Sequence, residues 1–527
     1  MNPDFSHPIL SCADSGLWEE GLIHSEEQAW QAMRKVGTQL GQAIRSYFSM
    51  SRYPQEGLSV LGLIGKGHNG GDALLGILAL LEDHSCIASI SLILANSRDE
   101  LKPNTNRALS ILEDAADIRI LETPSVESLD ELRTESFDLC IDGLLGFQVR
   151  PPLREGVRTI VDYVNAHPSI RLRISIDLPS GVGDECDEEP FRADLTLATG
   201  IFKKPLLEAE SAGALRYLDI GFFEKSNDAS PRILVDAILD PLRALRPARS
   251  EKRAMGHLLV LAGSRSMPGA LAMCVSSALR SGVGLVTVFA PESVCSTLAV
   301  SLPEAMWRPW PETPEGGLAL EGLWQVKTML SKASCLLMGP GMSDDSETQV
   351  LLKEIGKVWD KPAVLDADAL RPEVVESFLQ AGNRDLVLTP HDGEFKRLSG
   401  RADCSDAALL DYVKEKVVTV VKKGSATRVA QNDLLAVNAG GNPVLSRGGS
   451  GDLLAGLLAG LVAQGDASLF ESACRAVYWH GKAADLLAID KGQVAVRTTD
   501  LLDFLAPALQ LGEVWNPNSP VKKPTGL

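Results

Sequence analysis

At 527 residues the chain exceeds what a single hydrophobic core organises, so two or three domains are expected. Hydrophobic residues make up 45% and charged residues 23%, the balance of an ordinary soluble globular protein. A net charge of −18 argues against nucleic acid or an anionic membrane as partner, while local basic sites remain able to hold a nucleotide. Nine scattered cysteines without Cys-x-x-Cys spacing indicate neither a disulfide framework nor a zinc site, and they fit a reducing cytoplasm, the expected location. No basic stretch leads into an apolar one near the start, so no signal peptide is expected. The most apolar run, residues 453–463, is too short to span a bilayer.

In chain order, Ala29, Met33, Val36, Leu40, Ala43 and Ile44 recur near helical spacing and predict an amphipathic helix over residues 26–48. Residues 58–64 read as a buried strand that runs into Gly65-Lys66-Gly67-His68-Asn69-Gly70-Gly71-Asp72 and then an apolar helix over 73–81. Gly-x-Gly-x-x-Gly between a strand and a helix is the context of a dinucleotide fingerprint. The ribose-binding acid expected after the next strand, 87–95, has no candidate before Asp99, which is late, so an ordinary NAD-dependent dehydrogenase takes second place. Strands over 137–141 and 173–176 end on Asp142 and Asp177, with helices over 104–115 and 157–166. That alternation implies a parallel sheet with covering helices, and ligands bind at the carboxyl ends of such strands. Asn69, Asp142 and Asp177 should therefore converge on one sheet edge.

Residues 223–250 lose the pattern, which puts a domain boundary at 225–230. The α/β alternation then resumes, with strands over 257–262, 285–289, 335–338, 363–365, 386–388 and 417–421 and helices over 270–281 and 346–358. Polar motifs follow successive strands: Gly339-Pro340-Gly341, Asp366-Ala367-Asp368, Thr389-Pro390-His391-Asp392-Gly393-Glu394, and Lys422-Lys423-Gly424-Ser425. The series closes on residues 446–460, a glycine-rich loop running into a helix. Unpaired N–H groups and the macrodipole at such a junction hold phosphate, and Gly448, Gly449 and Gly451 carry no Cβ to block its approach. A carboxylate among those donors opposes an anion unless it has a proton to take, which makes Asp452 the candidate general base on a substrate hydroxyl. Lys423 with the Gly424 and Ser425 amides can hold nucleotide phosphates, and residues 438–443 can shape an adenine or ribose contact. His391 and Asp366 or Asp368 offer polar contacts to a second substrate or a magnesium-bound water. Plainer roles exist: His391 as the cap of its own loop, Asp366 and Asp368 as turn residues.

Two motif series carry a family resemblance over most of residues 25–490. Gly-x-Gly-His-Asn-Gly-Gly-Asp, Asp142-Gly-Leu-Leu-Gly146 and Asp177-Leu-Pro-Ser-Gly181 resemble the ordered motifs of NAD(P)HX epimerase domains. Thr-Pro-His-x-Gly-Glu, Leu-Asp-Ala-Asp-Ala-Leu and Gly-Asn-Pro…Gly-Gly-Ser-Gly-Asp resemble the ribokinase-like NAD(P)HX dehydratases. The resemblance implies an α/β protein: a Rossmann-like three-layer epimerase domain over 1–228 and a ribokinase-like α/β dehydratase domain over 229–515, followed by a mobile tail over 516–527.

For the first domain it implies potassium ligated by Asn69, Asp142 and Ser180, whose hard oxygens suit an alkali cation. Asp177 becomes the acid/base or iminium-stabilising carboxylate. His68, Asn69, Gly70, Gly71 and Asp72, with Gly146, Phe147, Gln148, Val149, Arg150, Pro151 and Pro152, bind the hydrated nucleotide NADHX or NADPHX. For the second it implies that Ala270, Gly341, His391 and Asp452 contact the hydrate. Lys423, Gly424, Ser425, Ala426, Thr427 and Gly451 bind ADP or ATP, with magnesium. His68 stands where a second asparagine is usual, Ala73 where glycine is, Ser450 where threonine is common, and Asp392 where proline is frequent. The implied function is repair of hydrated NADH and NADPH by epimerisation and nucleotide-dependent dehydration, in an expected homo-oligomer. The alternative is a ribokinase-like small-molecule kinase with a non-catalytic nucleotide-binding N-terminal module. A ligand-binding scaffold of the first fold would lack the acidic and amide positions kept here.

Overall fold

The computed structural model describes residues 5–51, 57–82, 87–223, 231–246 and 251–511. The expected boundary at 225–230 and the tail over 516–527 lie outside them. The chain separates into two compact units, one built chiefly from His7–Ala229 and the other chiefly from Ser230–Leu487 with Val494–Gln510.

In the N-terminal unit the elements are α1 (Cys12–Glu20), α2 (Glu26–Ser51), β1 (Leu58–Ile64), α3 (His68–Leu81), β2 (Ile87–Leu94), α4 (Pro103–Ala115), β3 (Arg119–Glu122), β4 (Leu139–Gly143), α5 (Glu155–Ala166), β5 (Arg173–Ile176), β6 (Leu195–Thr199) and β7 (Ala214–Leu218). The strands form one sheet in the order β3-β2-β1-β4-β5-β6-β7, parallel throughout. The winding reverses between β1 and β4, with Leu63 beside Asp142 and Ile64 beside Gly143. Such a reversal opens a crevice at the strand ends, and here the loops after β1 and β4 flank it. α3 begins at His68 rather than near residue 73, so the motif asparagine sits on its first turn and the aspartate just beyond it. The cause is close approach: a Cβ on Gly70 would lie 2.1 Å from the Gly65 carbonyl oxygen, and one on Gly65 1.8 Å from that of Leu144.

The C-terminal unit carries β8 (His257–Leu261), α6 (Pro268–Arg280), β9 (Leu285–Pro291), β10 (Met306–Trp310), β11 (Cys335–Met338), β12 (Ala363–Leu365), β13 (Leu386–Leu388), α7 (Asp392–Ser399), β14 (Thr419–Lys422), β15 (Thr427–Gln431), β16 (Leu434–Asn438), α8 (Ser450–Gln464) and α9 (Leu469–Lys491). Its sheet includes the run β10-β9-β8-β11-β12-β13-β14-β15-β16, parallel from β10 to β14 and antiparallel across β14, β15 and β16, and a strand at Arg232–Leu234 continues it parallel to β16. The β15–β16 hairpin has no counterpart in the sequence expectations, and its turn uses Asn432 at a φ of 51°. β14 starts at Thr419 because Val417 ends the preceding helix in the left-handed region, at a φ of 56°. The winding reverses again between β8 and β11, beside the start of α6.

α8 is buried on almost every side, which explains an apolar run too short for a membrane. Among the described residues no helix is long and apolar enough to cross one. Two glycines let α8 lie directly on α6: a Cβ on Gly456 would come within 2.0 Å of the Cys274 carbonyl oxygen, and one on Gly460 within 2.1 Å of Ser281 Oγ. This contact fixes the helix whose first turn carries Asp452. Gly456→Ala should therefore destabilise the C-terminal unit by about 1–3 kcal/mol through overpacking. Urea unfolding of the full chain checks this, and an unchanged midpoint would show that the two helices part freely.

Candidate functional site

Each unit gathers its chemistry at the carboxyl ends of its parallel strands. In the N-terminal unit Asp142, the fourth residue of β4, is fully buried and meets four neutral donors. Its Oδ1 accepts from Ser180 Oγ at 2.6 Å and the Leu144 amide at 3.2 Å. Its Oδ2 accepts from the Ser180 amide at 2.8 Å and Ser175 Oγ at 3.1 Å. Burial pushes the carboxyl up, against the pull of those hydrogen bonds. Asn69 joins the cluster by donating from Nδ2 to the Leu145 carbonyl at 2.7 Å, while Ser180 Oγ accepts from the Leu145 amide at 3.1 Å. Asn69, Asp142 and Ser180 thus stand together, as their motif order led us to expect.

Asp177 follows β5 with a φ of 67°, an unusual conformation for any residue but glycine that an aspartate tolerates. Its Oδ1 lies 2.5 Å from Lys203 Nζ, and both side chains are buried. Nothing in the local text around Lys203 marks it, and the pairing depends on the adjacency of β5 and β6. The Phe147 ring lies 5.4 Å from Lys203 Nζ, which brings the loop over 146–152, with its cis Pro151–Pro152 bond, to the Asp177 edge. Asp72 is drawn in as well, its carboxyl pushed well up by burial and then by the charges of Asp177 and Glu19. His68 opens α3, its imidazole held below the ordinary range by partial burial and the Lys102 charge.

In the C-terminal unit Asp366, just past β12, is buried and accepts from Thr389 Oγ1 at 2.6 Å and Lys423 Nζ at 2.9 Å. Lys423 Nζ also lies 3.6 Å from Glu394 Oε2. Burial pulls the ammonium down, and the charges of Asp366 and Glu394 more than compensate, so Lys423 stays protonated. A Cβ on Gly451 would stand 3.4 Å from that ammonium, so Lys423 lies against the backbone at the start of α8. Gly449 precedes this first turn with a φ of 91°, and Asp452 occupies it. Burial first and then the Asp366 charge push the Asp452 carboxyl up to about 6, partly opposed by Lys423. His480 on α9 backs the same turn; burial drives its imidazole down to about 4 despite a hydrogen bond with the Ser450 backbone, so it stays neutral.

The remaining expected positions divide. Gly341, at a φ of 63°, faces Ala270, whose Cβ would be 2.8 Å from any Cβ there, so these two form one wall. Gly424 and Ser425 are exposed beyond β14, whereas Ala426 is buried and Thr427 opens β15 with its hydroxyl donating to the Gly424 carbonyl at 3.2 Å. His391 caps α7, its Nδ1 accepting from the Gly393 amide at 3.0 Å and the Glu394 amide at 3.3 Å. The imidazole is exposed, and the nitrogen that the cap does not use, Nε2, lies 3.7 Å from Glu394 Oε1. Asp368 accepts from the Ser343 amide at 2.9 Å, a turn-fixing bond. Asn438 is buried and spends its side chain on Gly440 and Val477. Arg447 donates to the carbonyls of Val496 at 2.7 Å and Val494 at 2.8 Å, which ties down the glycine loop. Among the described residues no group of three or more His, Cys, Asp or Glu is placed to hold a metal.

A family model described as NAD(P)H-hydrate dehydratase matches residues 258–507, and one described as YjeF-related protein N-terminus matches residues 30–205. The chain is 32% identical over 533 aligned positions to the bifunctional NAD(P)H-hydrate repair enzyme of Thermosynechococcus vestitus, covering 97% of this chain and 99% of that one. It is 31% identical over 470 positions to the enzyme of the same description from Moorella thermoacetica, covering 86% and 87% of the two chains. Among solved structures it is similar to the ADP/ATP-dependent NAD(P)H-hydrate dehydratase from Bacillus subtilis co-crystallised with ATP/Mg2+, at 27% identity and a TM-score of 0.42, covering 51% of this chain and 96% of that one.

The electrostatics of the second site carry a direct prediction. Asp366→Asn removes the charge that, after burial, holds the Asp452 carboxyl up, so the Asp452 midpoint should fall below 6. Carboxyl-13C titration of labelled aspartate reads it, and a midpoint that stays or rises would remove Asp366 as the cause.

Proposed function

The chain belongs to the bifunctional NAD(P)H-hydrate repair enzymes, and from that premise we propose how its two sites divide the work. A reduced nicotinamide ring that has added water at C6 exists as two epimers. The epimerase site, within residues 1–228, interconverts them, and the dehydratase site, within residues 229–515, takes water from the S form. The observation that carries the reading is Asp452 on the first turn of α8, beside the Lys423 ammonium, with its carboxyl pushed up to about 6.

Hydroxide is a poor leaving group. Asp452 takes the proton from the C6 hydroxyl, and the oxygen attacks the terminal phosphorus of ADP or ATP, breaking its bridging P–O bond and releasing AMP or ADP. Lys423, Gly424, Ser425 and the amides at Gly448–Gly451 hold the phosphoryl oxygens. Phosphate then leaves C6 as the N1 lone pair forms the N1=C6 bond, and loss of a proton from C5 restores the dihydropyridine. Ala270 and Gly341 line the ring, and His391 reaches the hydrate through Nε2. Magnesium would arrive on the nucleotide phosphates, since the nearby carboxylates Asp366 and Asp368 already serve Lys423, Thr389 and Ser343. It supplies charge neutralisation on those phosphates.

In the first site Asp177 acts as the acid/base carboxylate, with the start of α3 over 68–72 and the loop over 146–152 holding the nucleotide. Potassium fits Asn69, Asp142 and Ser180, because the buried Asp142 carboxylate meets neutral donors and a monovalent cation beside it balances the charge. We further propose a cytoplasmic homo-oligomer, which light scattering of the purified chain tests. A small-molecule kinase with a non-catalytic N-terminal module is not favoured, because both halves match the repair enzymes.

Crossed variants separate the sites. Asp452→Asn should lower dehydration of the S hydrate by at least about 100-fold and leave epimerisation intact, and Asp177→Asn should do the reverse. Full turnover by Asp452→Asn would remove the general-base assignment. Because burial raises Asp452, the fold bears the full cost of ionising it above about pH 6, and that cost falls away as pH drops from about 6 toward the ordinary carboxylate range. Asp452→Asn should therefore melt no lower than the parent at pH 8, and higher if the fold is otherwise unaltered; a clear drop in Tm would contradict the shift.

A further inference from the structure

Three carboxyl groups and one ammonium share the epimerase site. Asp177 is paired with Lys203 at 2.5 Å, which uses the cation. Asp72, from α3, is left with an Oδ1 that is shielded from solvent and without a hydrogen-bond partner. Glu19, from the last turn of α1, interacts electrostatically with Lys203, Asp177 and Asp72. α1 covers this site: a Cβ on Gly16 would stand 3.3 Å from the Phe147 ring. At its other end the Cys12 amide donates to Asp184 Oδ1 at 2.8 Å and the Ala13 amide to Oδ2 at 3.0 Å. One ammonium cannot neutralise three carboxylates that share its neighbourhood, so the two that lack a cation hold protons more tightly. Burial, then Asp177 and Glu19, push Asp72 well up. Burial, then Asp177 against the opposing Lys203, brings Glu19 to about 7, while Cys12 on the same helix, pushed up to about 12, stays a thiol.

Epimerisation at C6 through an N1=C6 iminium needs two proton transfers, one on each face of the ring. We propose that Glu19 is the second acid–base residue of this site, giving its proton to the C6 hydroxyl as that group leaves as water. This rests on the reading of the N-terminal unit as the epimerase with Asp177 as acid/base. The C6–O bond breaks, the N1 lone pair forms N1=C6, and Glu19 becomes a carboxylate. Water adds to the opposite face of C6, the electron pair returns to N1, and the proton of that water passes to the Asp177 carboxylate. The reverse reaction runs the same transfers backwards, so one proton shared by Glu19 and Asp177 serves both directions. Neutral Asp72 lines the site as a hydrogen-bond donor without adding a third charge.

The test uses the full chain and purified R hydrate, with Glu19→Gln and Glu19→Asp. Glu19→Gln should lower kcat for conversion to the S hydrate by at least about tenfold, at the low end of acid–base contributions, with KM little changed. The parent's fall in rate as pH rises through about 7 should vanish with it, and Glu19→Asp should restore part of kcat. Dehydration of added S hydrate by the same samples should stay at the parent level, which separates a chemical role from misfolding. A smaller loss of kcat, or an alkaline limb that persists in Glu19→Gln, overturns the role of Glu19. Failure of the parent to epimerise, or full turnover by Asp177→Asn, would overturn the underlying reading instead.

Discussion

A lysine paired with a buried strand-end aspartate organises each half of the molecule. Lys203 holds Asp177 in the first unit, and Lys423 holds Asp366 in the second. In both, a further carboxyl shares the neighbourhood without a cation of its own, Glu19 in one and Asp452 in the other, and its affinity for protons rises accordingly. This is how carboxyl groups acquire values near those of the working medium: burial supplies the upward push, and the existing ion pair withholds the charge that would cancel it. The result suits chemistry in which hydroxyl protons must move.

Parallel strands make the arrangement possible. Their carboxyl ends present loops on one edge, and a reversal of winding leaves room between two of them. Asn69 and Asp142 meet because β1 and β4 are neighbours across the first reversal, and Ala270 meets Gly341 across the second, between β8 and β11. Small residues then set the depth of approach. Gly65 and Gly70 close the first loop on itself, and Gly456 and Gly460 seat α8 on α6, so that amides, lysine and base in the second site keep a fixed relation.

Much of this was legible in the sequence because the motifs are local: Asp142, Asp177, Asp366, His391 and Lys423 follow short apolar runs, Asp452 stands between a glycine-rich loop and an apolar run, and the structure puts each of them at a strand end or on a helix start. What was not legible depends on tertiary neighbours. Lys203 stands in an unremarkable Phe-Lys-Lys-Pro stretch, and only the β5–β6 pairing brings it to Asp177. Glu19 sits on a short helix whose periodicity is weak, and its character comes from partners 53 to 184 residues away. The β15–β16 hairpin was missed because residues 424–427 read as a phosphate loop and 438–443 as a nucleotide contact. The Asn438 side chain holds its own turn, and His391 combines a capping role with an exposed imidazole. Motif text locates a turn; it does not say which atoms the turn has already used.

The central claim is that one chain repairs both epimers of a hydrated nicotinamide nucleotide. Its most direct test is recovery of NADH absorbance from a mixture of both hydrates by the full chain, with magnesium and ADP or ATP, in the presence and absence of potassium. Recovery should be complete with a nucleotide and slowed at the R fraction when potassium is withdrawn. No recovery with either nucleotide would contradict the dehydratase assignment, and recovery that stops at the S fraction with potassium present would contradict the epimerase.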